Sequence, residues 1–487
     1  MVDLRIGGLA SGMDIDQIVS DLMSAERIPL DKLSQKKQIL EWQRDSYREM
    51  NTLLKELDTF IFDGIDRQSN LLKKTTTSSN ENIVTAVANA DASDVSTEIE
   101  VLNIAKSATW ISNEAANFTG GQAVTLTLDV TNGDGTKSEG VTIDIADTDT
   151  LDDVIRKLNE NEQLGINVFY DSETEKVVMT KEETGSQAGL EVVDSDTQRF
   201  FAQLGFTDPD AIKTDGEDAE FIINGLQTTR STNEFSINNV SYTLHNESPG
   251  EKIRVSTSTD DDAIVDTVVQ FVNKYNEIIE KINSTISEEK YRDYPPLTDA
   301  EREELSDDEI EKWEGLAKSG ILKGDSTLSS VLNQMRLDLY SPISGSETGF
   351  SQLAEIGITT SADYTENGKL LIDEDKLREK IAENPEAVYE LFNAEGDSYE
   401  TSGIASRLRD SLDNAMTQIV EKAGSSTKTN DQFSIGKSLD NVLDDILNFE
   451  NRLEMVEDRY WSQFTAMELA IQKANEQAAY LASQFGY

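Results

Sequence analysis

The stretch "SLDNVLDDILNFENRLEMVEDRYWSQF", residues 438–464, places Leu439, Val442, Ile446, Phe449, Leu453, Val456 and Tyr460 at alternating steps of three and four. That spacing is the seam of a helix packed along a partner helix. The next step, to Phe464, is four where three was due, and the pattern then resumes through Met467, Ile471, Ala474, Ala478, Leu481 and Phe485. Such a stutter locally unwinds a coiled coil. Before it the seam residues are large and suit a permanent pairing. After it, Ala474 and Ala478 beside Leu481 and Phe485 make a narrower face suited to an exchangeable partner.

The other end of the chain mirrors this pattern. In "IGGLASGMDIDQIVSDL", residues 6–22, the glycines Gly7, Gly8 and Gly12 match neither phosphate-loop spacing, and too little chain precedes them for a strand seated in a sheet. They read as a flexible lead-in to a helix. Asp14 with Gln17 three residues on signals the helix start, and Ile15, Ile18, Val19 and Leu22 form its apolar stripe. Pro29 is expected to break or bend this helix. Beyond it Leu33, Leu40, Tyr47, Met50, Leu54, Leu57 and Ile61 continue a heptad seam if Lys36 and Gln43 fill two polar slots, with Trp42 flanking the line. The two terminal helices are expected to pair as one coiled-coil stalk; two helices packed separately on a core is the alternative.

Between the ends, the pattern turns from helical to alternating near "KKTTTSSNENIVTAVANADASD", residues 73–94, and stays mostly β to about Ser258. Within it "VTIDIADTDTLDDVIRKLN", residues 141–159, reads as a strand followed by a Thr150-capped helix carrying Leu151, Val154, Ile155 and Leu158. Two strands flank "DSETEK", and Asn224-Gly225 signals a hairpin. Ile264, Val268, Phe271, Tyr275, Ile278, Ile282 and Ile286 then lie on one helical face. A largely helical region runs to about Gly424, interrupted by "YPPLTDAEREELSDDEIEKW" and by the strand-like "GITTSAD" and "GKLLID"; "KAGSSTKTNDQFS" reads as a hinge before the last helix. The expected fold class is α+β multidomain, with nested domains. Residues 1–43 with 436–487 form a terminal coiled-coil leg, and 44–74 with 262–435 a helical body. Residues 75–118 with 217–261 form a β-rich head, and 119–216 an inserted α/β head domain.

Composition narrows the function. Of 487 residues 93 are acidic and 43 basic, a net charge of -50, which disfavours nucleic acid and anionic membranes. Cysteine is absent, excluding disulfides, zinc-thiolate sites and cysteine nucleophiles. The start shows neither a basic region followed by an apolar core nor any membrane-length apolar run, so neither a classical secretion signal nor membrane insertion is expected. His245 is the single histidine, and no nucleophile elbow accompanies it. Asp260, Asp261 and Asp262 read as helix caps rather than a catalytic group. In "DVTNGDGTKSEG" the calcium-loop offsets fail at Thr131 and Gly133, and a hairpin turn through Asn132 to Gly135 fits better. Asn117 and Asn283 match glycosylation acceptors at a frequency chance explains. No cofactor or metal is expected, and no enzyme. A hydrolase built on His245 or a carboxylate pair, and an adhesin recognising ligands through the β head, remain the alternatives to an assembly protein.

The chain also resembles a known family, the flagellar filament cap proteins or hook-associated protein two. The resemblance is carried by "GGLASGMDIDQIVSDLM" (7–23), "SGILKGDSTLSSVLNQMR" (319–336), "LAEIGITTSADYTENGKLLIDEDKLREKIAENPEAVYELF" (353–392) and "RYWSQFTAMELAIQKANEQAAYLASQF" (459–485), in that order over essentially the whole chain. The 141–159 module is similar to a unit recurring in hook and hook-associated proteins. The resemblance implies an exported protein forming a homo-oligomeric ring at the distal tip of the filament, where it promotes folding and insertion of flagellin. It further implies contacts with hook-associated junction proteins and a cytosolic export chaperone. The coiled-coil or filament contacts would be Leu33, Leu40, Tyr47, Met50, Leu54, Leu439, Val442, Ile446, Phe449, Leu453, Val456 and Tyr460. Chaperone or filament contacts would be Phe464, Met467, Ile471, Ala474, Ala478, Leu481 and Phe485. The opening glycines would then belong to a mobile leader suited to a narrow export channel.

Overall fold

The computed structural model describes residues 12–208, 213–345, 349–363, 366 and 368–486, so Gly7 and Gly8 of the expected leader lie outside it. The chain divides into two compact units, Met1–Arg67 with Val265–Tyr487, and Gln68–Ile264.

Helix α1 (Ile15–Asp63) starts where the Asp14 carboxylate accepts the Gln17 N–H at 3.0 Å. It continues through Pro29 without a break. Proline leaves the carbonyl four residues earlier without its helical donor. Here both Pro29 and Ala25 are exposed. The helix ends at Gly64, whose N–H reaches the Phe60 and Ile61 carbonyls; a Cβ there would stand 2.7 Å from the Phe60 oxygen.

The second unit contains two cores. It begins with α2 (Gln68–Leu71), followed by strands β1 (Lys74–Ser78), β2 (Val84–Ala88) and β3 (Ser96–Asn103). Next come β4 (Ser107–Ile111), β5 (Val124–Thr131), β6 (Lys137–Ile145), α3 (Leu151–Asn159), β7 (Ile166–Asp171), β8 (Lys176–Thr184), β9 (Gly189–Val192), α4 (Ser195–Gln203) and β10 (Lys213–Thr214). Strands β11 (Ala219–Ile223), β12 (Leu226–Arg230), β13 (Glu234–Ile237), β14 (Val240–Leu244) and β15 (Ile253–Thr259) complete it. A sheet ordered β1-β15-β3-β11-β12 and a sheet ordered β13-β14-β2 share the first core, in which Phe221 stacks on Phe235 at 4.3 Å. The strands alternate buried and exposed residues, as sheets covered on one face must. The inserted module supplies the second core: sheets β10-β4-β8-β7 and β6-β5-β9 pack with Val154 and Leu158 of α3 and Phe200 and Phe201 of α4.

Several local readings hold. Thr150 and Asp153 form a reciprocal capping box on α3. Asn224 and Gly225 take φ of 47° and 89°, the positive values that a two-residue hairpin turn needs. Asn132 to Gly135 makes the β5–β6 turn, with the Asn132 N–H donating to the Thr136 carbonyl at 2.9 Å.

The remaining elements are α5 (Asp261–Ser287), α6 (Asp299–Glu304), α7 (Asp307–Lys318), α8 (Ser326–Tyr340), β16 (Ile358–Thr360), β17 (Leu370–Ile372), α9 (Glu374–Glu383), α10 (Pro385–Asn393), α11 (Ile404–Ala423) and α12 (Ser434–Phe485). The acidic segment read as an interruption instead carries α6 and α7, each opened by its own capping box, Thr298–Glu301 and Ser306–Glu309. Local caps, rather than an apolar face, hold these short helices.

The segment read as a hinge, 422–434, is buried at Ala423, Gly424 and Phe433 and exposed from Ser426 to Thr429 between them. Phe433 is buried, and Arg48 of α1 donates to the Ala423 and Ser425 carbonyls at 3.1 and 3.2 Å. Gly424 sits at φ 68°, where a Cβ would fall 2.5 Å from the Phe433 ring. Gly424→Ala combines left-handed strain with a clash and is expected to cost about 2–4 kcal/mol, read as a lower melting temperature of the helical unit.

Candidate functional site: the paired terminal helices

Helices α1 and α12 run antiparallel. The Tyr460 hydroxyl donates to Glu26 at 3.1 Å, whereas Arg48, further along α1, lies over the ring of Phe433 at 5.7 Å. As α1 advances, its partner residues on α12 step backwards.

The pairing has two well-buried ends. At the far end Ile15, Val19 and Met23 form a core with Leu453 and Val456, against which Leu30, Phe449, Tyr460, Trp461 and Phe464 pack partly buried. At the near end Leu439 and Val442 are buried. Between them Leu33 and Leu40 of α1, and Ile446 and Phe449 of α12, are only half-buried.

The lower half of the α1 seam goes elsewhere. Tyr47, Met50 and Leu54 are buried within the helical unit. The Tyr47 hydroxyl donates to Asp325, the N-cap of α8, and Lys422 of α11 lies 3.0 Å from the same carboxylate and 4.4 Å from the Tyr47 ring. Burial and the Asp325 carboxylate together push the Tyr47 phenol well above its ordinary range, so it stays a donor. Arg409 of α11 ties Asp58 and Asp66 at 2.9 and 2.8 Å. This half of α1 is therefore one member of a helical bundle with α8 and α11.

Past the stutter, burial fades. Met467 and Ile471 are half-buried, Ala474 and Ala478 are exposed, and Leu481 is 53% exposed. The reason is geometric: in an antiparallel pair the end of α12 lies beyond the start of α1 at Ile15. The Phe485 side chain lies outside the described residues.

Two details of the α1 reading change. Leu22 is 37% exposed, and its neighbour Met23, four residues from Val19, takes the inward position. Trp42 is 6% exposed rather than flanking, with Lys318 of α7 5.4 Å from its ring. Arg48 and Trp461 were not singled out, and Arg48 carries no periodic signal that would have revealed it.

Chemistry elsewhere is sparse. His245 is exposed, its Nε2 2.9 Å from the Thr85 hydroxyl. Asp260 accepts the Ala263 N–H at 3.1 Å, as a helix cap does. Among the described residues no three His, Cys, Asp or Glu side chains are placed to hold a metal ion, and no helix is long and apolar enough to cross a membrane.

The fold defines a class: a multidomain protein in which chain-terminal helices pair and β-rich domains are inserted between them. Family models for the N-terminus and C-terminus of flagellar hook-associated protein 2 match residues 11–108 and 216–476, and a flagellin hook IN motif matches 125–182. The chain is 35% identical to flagellar hook-associated protein 2 of Halalkalibacterium halodurans, over 99% of this chain and all of that protein. It is 23% identical to the Escherichia coli K12 protein of the same name, covering all of this chain and 98% of that one. The crystal structure of the flagellar cap protein FliD D1-D2-D3 domains from Escherichia coli shares the fold, with a TM-score of 0.57 at 21% identity, covering 82% of this chain and 99% of that one. The chain belongs to the flagellar hook-associated protein 2 family.

Proposed function

We propose that the protein caps the distal tip of the bacterial flagellar filament, as a ring of identical copies that promotes insertion of exported flagellin and prevents its loss. The end-to-end match to a flagellar hook-associated protein 2 carries this reading. A cell lacking the protein is expected to release unpolymerised flagellin into the medium and to make short or no filaments, and the intact gene is expected to restore them. Filaments of normal length without it would refute the cap role.

The role is structural rather than enzymatic, and hook-associated junction proteins and a cytosolic export chaperone are further partners. The paired seams of α1 and α12 form the leg that meets the filament, and the face from Phe464 to Phe485 is the exchangeable contact for chaperone or filament wall. Supporting this, the described side chains from 472 to 484 are exposed in the folded chain. The finer division into leg, body, β head and inserted head goes with this reading. No observation favours the adhesin alternative.

The segment to delete is 472–487, whose described side chains from 472 to 484 are exposed. The thermal unfolding of both units is expected to be unchanged, while capping and chaperone affinity in calorimetry are lost. Undiminished affinity would show that the contact lies elsewhere.

A further inference from the structure

Besides the seam they share, α1 and α12 each carry a second stripe that faces away from the other helix. On α1, Leu22, Ala25, Ile28, Pro29, Lys32 and Lys36 are all exposed, Ile28 at 52%. Helical residues advance by about 100° each, so these six gather roughly 110° round from the seam of Ile15, Val19 and Met23. Asp21, the acid on that side, is taken up by Gln17, whose side-chain amide donates to it at 2.8 Å. The stripe is thus apolar in its first half and basic in its second, in a chain with 93 acidic residues against 43 basic ones.

The α12 stripe has the opposite sign. Leu443, Leu447 and Met455 are exposed, the last two at 57% and 67%, and the exposed carboxylates of Asp444, Glu450 and Glu454 stand among them. By the same count they gather roughly 140° round from the seam of Leu453 and Val456. The nearest bases, Arg452 and Arg459, lean back over the Phe449 and Tyr460 rings at 5.6 and 5.4 Å, which leaves the stripe apolar and acidic. Because the helices run antiparallel, residues advance round them in opposite senses when the pair is viewed from one end. The basic stripe therefore lies on one side of the pair and the acidic stripe on the other. Both flank the stretch in which Leu30 and Phe449 pack partly buried against the terminal core, so they stand at one level along the pair.

We propose that a second copy of this chain covers each stripe: in the ring, the α1 stripe of one copy meets the α12 stripe of the next. This deepens the ring reading given above and rests on it. Leu22 and Ile28 with Leu443, Leu447 and Met455 supply apolar contact, and Lys32 and Lys36 against Asp444, Glu450 and Glu454 fix which helix meets which. Turned α1 to α1 or α12 to α12, the copies would oppose like charges. A head-to-tail contact closes into a ring when successive copies turn about one axis without rising along it. Two complementary stripes at one level, on opposite sides of each pair, give a contact of that kind.

The chain has no cysteine, so Ala25→Cys with Asn451→Cys places one thiol on each stripe of the full-length protein, on opposite sides of a copy. A short bismaleimide applied at rising protein concentration is expected to give a ladder of linked dimers, trimers and higher forms from this double variant. Each single variant is expected to give none. No ladder, or dimers from a single variant, would overturn the head-to-tail contact. In sedimentation velocity, Lys32→Glu with Lys36→Glu, and separately Asp444→Lys with Glu454→Lys, are each expected to weaken self-association by roughly tenfold. All four positions are exposed, so the melting temperature should stay that of the parent. Combining the two reversals is expected to restore most of the association; loss without restoration, or no loss in either variant, would overturn the pairing. Cross-linking that appears only when flagellin is added, and joins the stripes to flagellin, would assign them to that partner and overturn it likewise. Flagellin release unaffected by loss of the protein would refute the cap reading while leaving a ladder in isolated protein standing, and normal capping without a ladder would refute this contact alone.

Discussion

Leu453→Asp together with Val456→Asp is expected to release α12 from the first turns of α1 at a cost of about 4 kcal/mol or more. Both side chains are buried against Ile15, Val19 and Met23, a core of five buried residues among the described ones. A carboxylate there loses its water, and Glu26 and Glu457, which accept from Tyr460 and Trp461 beside this core, add like charge, while Arg452 and Arg459 lie over the Phe449 and Tyr460 rings. A cluster this small has no reserve with which to absorb two buried charges. Limited proteolysis should therefore trim α1 before about Leu40 and α12 beyond about Phe449, while the β-rich unit keeps its native melting transition. In cells, flagellin should appear in the medium. Unchanged protease resistance at both ends would show that the two helices are held by something other than this seam.

Arg407 should show the second large effect. It is 1% exposed on α11, and its guanidinium donates to the Ser341, Pro342 and Glu400 carbonyls at 2.8, 3.2 and 3.0 Å while lying 4.7 Å from the centre of the Tyr399 ring. Tyr399 in turn donates to Asp338 at 2.9 Å. Arg407→Met keeps the length and apolar stem but strips the Ser341, Pro342 and Glu400 carbonyls of a buried charged donor, so a loss of about 2–4 kcal/mol is expected in the helical unit. Burial holds the Asp338 carboxyl above the usual carboxylate range, against hydrogen bonds from Ser411, Gln334 and Tyr399 and the Arg407 charge. Removing that charge raises it further. An acid whose folded pKa is raised binds its proton more tightly in the folded state. Its contribution is therefore most favourable below its unfolded pKa and is lost as pH rises towards the folded one. The deficit of the variant should accordingly widen as pH climbs through the acidic range, in urea titrations at several pH values. A loss below about 1 kcal/mol would place the three carbonyls in other hands.

Much of the architecture is legible in local patterns. The seams of α1 and α12, the alternation in β3 and β11, the Thr150 cap and the Asn224-Gly225 turn each follow from a few neighbouring residues, because helical and strand periods and turn dihedrals are set within one or two turns of chain. Pro29 shows the limit of that locality: proline disfavours a helix interior, yet the helix runs on through it.

By itself, then, the sequence determined that two seam-bearing helices stand at the chain ends with alternating strands between them, since amphipathic spacing is a property of contiguous residues. Tertiary structure alone decided that Tyr47 meets the N-cap of α8 and Lys422 of α11 while Ile15, Val19 and Met23 face α12. It also decided that Met23 rather than Leu22 points inward, and that Arg48, Arg407 and Arg409 hold carbonyls and carboxylates from distant segments. Spacing says that a helix has an apolar face but not which partner covers it, and an arginine reads as a surface residue until the fold brings its acceptors from other segments, 375 residues away for Arg48 and 66 for Arg407.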